Sequence, residues 1–380
     1  MIGLTHATRR VALLVGMATV AAAACTQPPV PPPPPGGPGV VYPGDAWETI
    51  APEAAGFDAG ALDAIAADAE AAGSTCLVVT RRGWLVAEWY WNGGGPEVPQ
   101  QVFSVTKSVT STLVGLAQDD GDLAVTDPAS AHIPAWAGTP SAAVTVEDLV
   151  SNDSGRHWSL ASDYRDLVAA PDRTGYAIGL GQDAEPGTVW AYNNAAIQAL
   201  DAVLEEATGQ DPAAMADDRL LGPIGMAHSE MTHDPAGNTN AFFGLQSTCQ
   251  DLARFGYLFL REGRWSGDRV VSADWVEAAT GGASQEINAA YGYLWWLNRP
   301  GPVAGPLAPM TLEESRTAPH TQMAPGAPED MFWARGLGGQ IVQVDPGSET
   351  VVVRLGPSQV AADYDQADTA RVVTEALVDP

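Results

Sequence analysis

Phe103-Ser104-Val105-Thr106-Lys107-Ser108 holds the single lysine of a 380-residue chain; of its 18 lysines and arginines, all the others are arginine. Arginine stays protonated at any working pH, whereas burial and neighbouring charge can strip the proton from a lysine amine. The one lysine therefore reads as a base. At a spacing of i, i+3 on a helix, the Ser104 hydroxyl and the Lys107 amine share a face, close enough for the amine to take the serine proton. Val105, Val109 and Leu113 recur at i, i+4 and i+8, and Gly121 supplies a helix stop. The stretch thus predicts a nucleophile opening a buried helix. There the helix dipole favours a developing oxyanion and disfavours a charged amine.

Upstream, residues 1–25 read as a secretory signal: Arg9 and Arg10 form a basic start and Val11 to Ala24 an apolar stretch, ending in Ala22-Ala23-Ala24-Cys25. The apolar run is short for a membrane span. Its end resembles a bacterial lipobox, in which the cysteine is lipidated, although Ala22 stands where leucine is usual. Cys25 is therefore the expected lipidation site, and the expected location is the outer face of a bacterial cell membrane; the alternative is ordinary signal cleavage beside the cysteine and free secretion. Residues 26–46 include TQPPVPPPPPGGPG, whose prolines favour extended polyproline II and act as a tether. Residues 47–380 form the remaining domain.

The formal charge is −28, and losing Arg9 and Arg10 with the signal takes it to −30. Such a balance argues against nucleic acid as a partner, which needs clustered cations, and against docking on anionic lipid by charge. The acids are scattered and read as a solvated surface. Besides Cys25 there are Cys76 and Cys249, an even pair in an exported chain, so a disulfide and a buried free thiol are both open. No CxxC or HExxH spacing occurs, and neither a metal nor a cofactor is expected.

A helix is predicted from Asp58 to Ala72, then a β-hairpin from CLVVT and WLVAEWYW around RRG, then the Ser104 helix. Between about 122 and 248 the pattern turns to helices and loops, including TVEDLV, NNAAIQALDAVLEEATG and PAAMADDRLL. Strand character returns in MFWARGLGGQIVQVDPGSETVVVRL, and ARVVTEALV closes with a helical period. The expected class is α/β (α+β): an antiparallel sheet built from both chain ends, flanked by helices, with an inserted, mostly helical lobe.

Two further motifs join Ser104-Val105-Thr106-Lys107. Tyr192-Asn193-Asn194 sits where a loop leads into a helix bearing Ile197, Leu200 and Leu204, and Arg335-Gly336-Leu337-Gly338-Gly339-Gln340 lies in the late strand region. Together they resemble the serine β-lactamase and penicillin-recognising superfamily, in its class C-like branch of esterases and 6-aminohexanoate-dimer hydrolases. The resemblance spans nearly all of 47–380. It departs from the family at the third motif, usually Lys-Thr-Gly or His-Thr-Gly, because no second lysine exists. His320-Thr321-Gln322 lacks the glycine and the strand pattern. Losing the family cation that binds a β-lactam or peptide carboxylate weakens the penicillinase and D-alanyl-D-alanine peptidase readings.

The residues themselves point to acyl transfer: Ser104 attacks, Lys107 accepts its proton and Tyr192 passes a proton to the leaving group. Acting as a base, Tyr192 would need a cation beside its phenolate. The resemblance implies an oxyanion hole from the backbone amides of Ser104 and Leu337. Gly336 and Gly338 would let substrate approach that backbone. Asn194 is expected to position substrate or lysine, or to cap its helix. Trp158, Trp190 and Trp333 are candidates for an acyl pocket or for core. The expected function is an exported serine hydrolase of small ester or amide substrates. The alternatives are a β-lactamase or D-alanyl-D-alanine peptidase, and a non-catalytic cell-envelope binding module. The oligomeric state is left open.

Overall fold

The structure is a computed structural model that describes Met1, Gly3, residues 39–357 and residues 364–378. The signal, Cys25 and most of the Pro-rich segment lie outside the described residues. Six strands, β1 (Cys76–Arg81), β2 (Trp84–Tyr90), β3 (Trp296–Leu297), β4 (Phe332–Gly336), β5 (Gln340–Asp345) and β6 (Thr350–Leu355), form one antiparallel sheet in the order β2-β1-β6-β5-β4-β3. The early hairpin and the late strands meet where β1 pairs with β6, Cys76 opposite Leu355 and Val79 opposite Val352. Both strands are buried along their whole length. That is why they read as continuous apolar runs and not as an alternating pattern.

Helix α1 (Ala59–Ala71) is capped by Asp58, which accepts from Ala61 N–H at 2.8 Å, and packs against the C-terminal turn at 372–376. Helix α2 (Val105–Asp120) lies against β4 and β5, is buried from Val105 to Ala117, and stops at Gly121 in the left-handed region. A helix buried all round must satisfy its hydroxyls internally. Ser108 donates to the Leu294 carbonyl at 2.8 Å and Thr110 to that of Ala241 at 2.7 Å.

The inserted region carries helix α3 (Asn194–Thr208), several shorter helices and short strand pairs. Helix α4 (Cys249–Leu260), which sequence patterning had not singled out, covers β1, β5 and β6. Gly256 is its point of closest approach, since a Cβ there would collide with Val351. Cys249 at its start is disulfide-bonded to Cys76 on β1, with the Cα atoms 6.4 Å apart. The bond fastens the helix to the sheet and settles the open question of the cysteine pair.

Candidate active site

Ser104 sits at the N-cap of α2 and reaches it through a sharp turn, because Phe103 is left-handed (φ 49°), a conformation costing a side-chain-bearing residue roughly 1 kcal/mol. An N-cap serine ordinarily accepts a hydrogen bond from the first helical turn. The Ser104 side chain makes no such bond, so its hydroxyl is left for Lys107. Lys107 Nζ lies 2.7 Å from Ser104 Oγ and donates to the Phe242 carbonyl at 2.8 Å. Its side chain is 1% exposed. Burial lowers its pKa to about 7, against the pull of the Asp163 carboxylate.

Tyr192 comes from the loop before α3. Its ring face stands 4.7 Å from Lys107 Nζ and packs at 5.5 Å from Trp296 and 6.0 Å from Tyr291. Burial pushes its pKa up to about 12, opposed by a hydrogen bond with Ser104 and by the charge of Arg335. Of the two, Lys107 is the group whose proton affinity lies near neutral pH, while Tyr192 stays a phenol there.

Ser104, Tyr192 and Leu337 all line one cleft of about 300 Å3, together with Gly336, Gly338, Trp296, Leu307, Tyr164, Arg335 and Asp365. Leu337 rides on the turn between β4 and β5, with Gly338 and Gly339 at φ 79° and 73°. The turn is held from behind. Arg354, fully buried, donates to the Gly338 and Gly339 carbonyls at 2.8 and 2.9 Å, and Gln340 donates to that of Leu337 at 3.0 Å. The backbone N–H groups of Ser104 and Leu337 have no acceptor among the described residues. Gly336 and Gly338 line the cleft, yet each has a further reason to be glycine. A Cβ on Gly336 would strike the Val102 carbonyl oxygen, and one on Gly338 that of Pro357. The glycines thus let the strand close on the backbone just ahead of Ser104.

Some expectations change. Asn194 neither lines the cleft nor caps α3: Asn193 is the cap, accepting from Ala196 N–H at 2.9 Å. Asn194 instead donates from Nδ2 to Asp163 at 2.8 Å, alongside the Asn194 and Ala195 amides at 3.1 and 2.9 Å. Asp163 is buried at the start of α3, and burial raises its pKa to about 6 despite those bonds and the charge of Lys107. Trp190 and Trp333 are core residues and Trp158 lines a neighbouring cavity of about 120 Å3; Trp296 is the tryptophan in the cleft. The missing lysine of the third motif does not leave the cleft without a cation, because the Arg335 side chain is there. Sequence reasoning missed Asp163, Trp296 and Phe242, which no local pattern marks. Among the described residues no group of three His, Cys, Asp or Glu side chains is placed to hold a metal ion.

Comparison with known proteins agrees with this geometry. The Beta-lactamase family pattern matches residues 62–376. The 6-aminohexanoate-dimer hydrolase of Paenarthrobacter ureafaciens is 24% identical over 314 residues, 73% of this chain and 71% of that one. The D-alanyl-D-alanine-carboxypeptidase/endopeptidase AmpH of Escherichia coli K12 is 27% identical over 146 residues, 36% of this chain and 37% of that one. A penicillin-binding protein homolog from Caulobacter crescentus shares the fold with a TM-score of 0.60 at 15% identity, covering 82% of this chain and 96% of its own. The chain belongs to the beta-lactamase family. Its sheet, helices and insertion are those of the serine beta-lactamase and penicillin-binding-protein fold, and its relatives are hydrolases.

Proposed function

We propose that this protein is a serine hydrolase that cleaves ester or amide bonds through an acyl-enzyme on Ser104. The observation that carries the reading is the 2.7 Å contact between Ser104 Oγ and a buried lysine amine whose pKa is lowered to about 7. At pH 7 about half of such an amine is neutral, against about one part in 3,000 for an ordinary lysine. Lys107 takes the Ser104 proton as Oγ bonds to the acyl carbon. The carbonyl oxygen, now negative, is met by the Ser104 and Leu337 N–H groups. Collapse breaks the bond to the leaving group, which receives the proton from Lys107 through the Tyr192 phenol. Water then repeats the sequence and releases the acid.

A fluorophosphonate probe should label one residue, Ser104, and Ser104→Ala should lose labelling and turnover while keeping its thermal unfolding. Label mapped to another serine would refute the assignment. No labelling of the folded protein would favour the non-catalytic envelope module. A panel of p-nitrophenyl esters, short linear amides and nitrocefin, run on one sample, separates esterase, amidase and β-lactamase activity.

The same proposal includes export and lipidation at Cys25. The Cys76–Cys249 disulfide supports an oxidising compartment. The test is to compare the wild-type chain with Cys25→Ser in a lipoprotein-processing bacterium. A wild-type protein released without lipid would leave the product freely secreted.

A further inference from the structure

We propose that the cleft of Ser104 continues outward as an apolar ridge, and that the substrates are neutral esters or amides whose alkyl chain is long enough to leave the cleft and lie along it. The proposal rests on the hydrolase reading for the reaction, although its binding test does not depend on turnover.

The first observation is where the exposed apolar side chains stand. Nine large ones are exposed among the described residues, and three of these, Tyr164, Leu307 and Leu337, line the cleft that holds Ser104. Two more of the nine, Leu160 and Val168, lie four residues before and four residues after Tyr164 in the helical stretch 160–169. Residues four apart on a helix share a face. The stretch contains a wide π turn at Ser162–Asp166, a distortion that recurs at functional sites. Leu160, Tyr164 and Val168 therefore form one exposed ridge, about 12 Å long at 1.5 Å per residue. Scattered single leucines on a surface need no explanation, whereas a contiguous apolar face marks a place where something binds.

The second observation is how the ridge is joined to the cleft and held there. The Tyr164 hydroxyl donates to the Pro306 carbonyl at 3.2 Å, which sets the ridge beside the segment carrying Leu307. Asp163, the preceding residue, is buried and accepts from the Asn194 and Ala195 amides at 3.1 and 2.9 Å. One side of the stretch is thereby fastened to the start of α3, and the apolar side is left outward.

The third observation is charge. Arg165, next to the ridge, pairs with Asp166 at 2.7 Å, and the charged residues that line the cleft are Arg335 and Asp365, one of each sign. In a chain of formal charge −28, the charges that flank the ridge and line the cleft balance. An uncharged alkyl chain fits such a surface, because its methylenes leave water against Leu307, Tyr164 and the ridge while the ester end sits at Ser104. A short acyl group would be held by the cleft alone and would leave the ridge in water.

The binding test uses Ser104→Ala protein, which cannot be acylated, titrated calorimetrically with 1-monobutyrin and, separately, with 1-monooctanoin below its aggregation concentration. Both are uncharged, and they differ by four methylenes. A fully buried methylene is worth about fourfold in affinity, so monooctanoin should bind about 10- to 200-fold more tightly. Adding Leu160→Asp and Val168→Asp, at positions outside the cleft, should cut the octanoyl-to-butanoyl ratio about 5- to 20-fold. Leu307→Asp should cut it as well, and serves if the double variant fails to fold. Equal binding of the two ligands, or a ratio unchanged in the folded variants, overturns the proposal. Sedimentation velocity covers the remaining occupant: a wild-type dimer that Leu160→Asp/Val168→Asp dissociates without changing the ratio would make the ridge a surface between copies of this chain and overturn the proposal too. The catalytic arm compares p-nitrophenyl octanoate with the butyrate, and octyl acetate with butyl acetate, on otherwise wild-type protein. The longer chain should have the higher kcat/KM in at least one pair, and that preference should fall in the ridge variant by a similar factor. Turnover with no chain-length preference in either pair sinks the proposal. Chain-dependent binding with no ester turned over would keep the alkyl site and refute the hydrolase reading instead.

Discussion

Replacing Lys107 with methionine should destroy activity and stabilise the protein at the same time. The side chain is 1% exposed, and burial has brought its pKa from 10.5 to about 7. Below pH 7 the lysine is protonated folded and unfolded, so the full penalty of burying the charge is present. Between pH 7 and 10.5 the folded state binds fewer protons than the unfolded one, so stability rises with pH across that window. Relative to a side chain that does not titrate, the wild type should therefore gain about 4 kcal/mol between pH 6 and pH 10. Against this, methionine leaves the Phe242 carbonyl without its donor, costing about 1–3 kcal/mol at every pH. Lys107→Met should be the more stable protein at pH 6 by about 2–4 kcal/mol, and by pH 10 the gap should have closed or reversed by up to about 2 kcal/mol in favour of the wild type.

Urea unfolding of both proteins from pH 6 to pH 10 measures the gap, and taking the difference cancels groups the two share. Acylation of Lys107→Met should fall about 100- to 10,000-fold. A stability gap that does not change with pH would refute the reasoning, because it would mean that Lys107 keeps an ordinary proton affinity. The kinetic counterpart is a rising limb of kcat/KM centred near pH 7 in the wild type.

Asp163→Asn removes a carboxylate that holds the Lys107 pKa up, so the rising limb should move to lower pH; a limb that stays in place would detach Asp163 from the lysine. Leu337→Pro deletes the N–H on the turn between β4 and β5, and should slow acylation about 100- to 1,000-fold as loss of an oxyanion donor does, measured by single-turnover acylation. Breaking the Cys76–Cys249 bond releases a loop of 173 residues, worth about 5 kcal/mol in the chain-entropy account. The Cys76→Ser/Cys249→Ser protein should therefore unfold at much lower urea while retaining turnover below its melting range.

The parts of this molecule that could be read from sequence are those whose partners lie close along the chain. Ser104 and Lys107 are one helical turn apart, and the hairpins of β1 with β2, β4 with β5 and β5 with β6 each close through a short turn. The meeting of the two chain ends was also legible, because unbroken apolar runs such as Val351-Val352-Val353 need cover on both faces and the early hairpin offered a partner. The short strand β3 was not. Two residues carry too little pattern to mark a strand, and with it went the identity of the tryptophan that faces the cleft. Helix α4 and the pairing of Cys249 with Cys76 depend on the same missing information, namely which face of the sheet each segment covers.

The same distinction explains the site. In the proposed reaction motif residues supply the atoms that react, and segments remote in sequence set the charge those atoms carry. Phe242, 135 residues beyond Lys107, gives the buried amine its second hydrogen bond. Asp163 is placed by the amides that open α3, and its charge reaches Lys107 from there. Neither could be inferred from spacing. Asn194 illustrates the consequence, for its place beside Tyr192 suggested contact with substrate, whereas its Nδ2 holds Asp163. A substitution at Asn194 should consequently act on the titration of Lys107 before it acts on substrate affinity, and a KM change without a shifted pH profile would return Asn194 to the cleft.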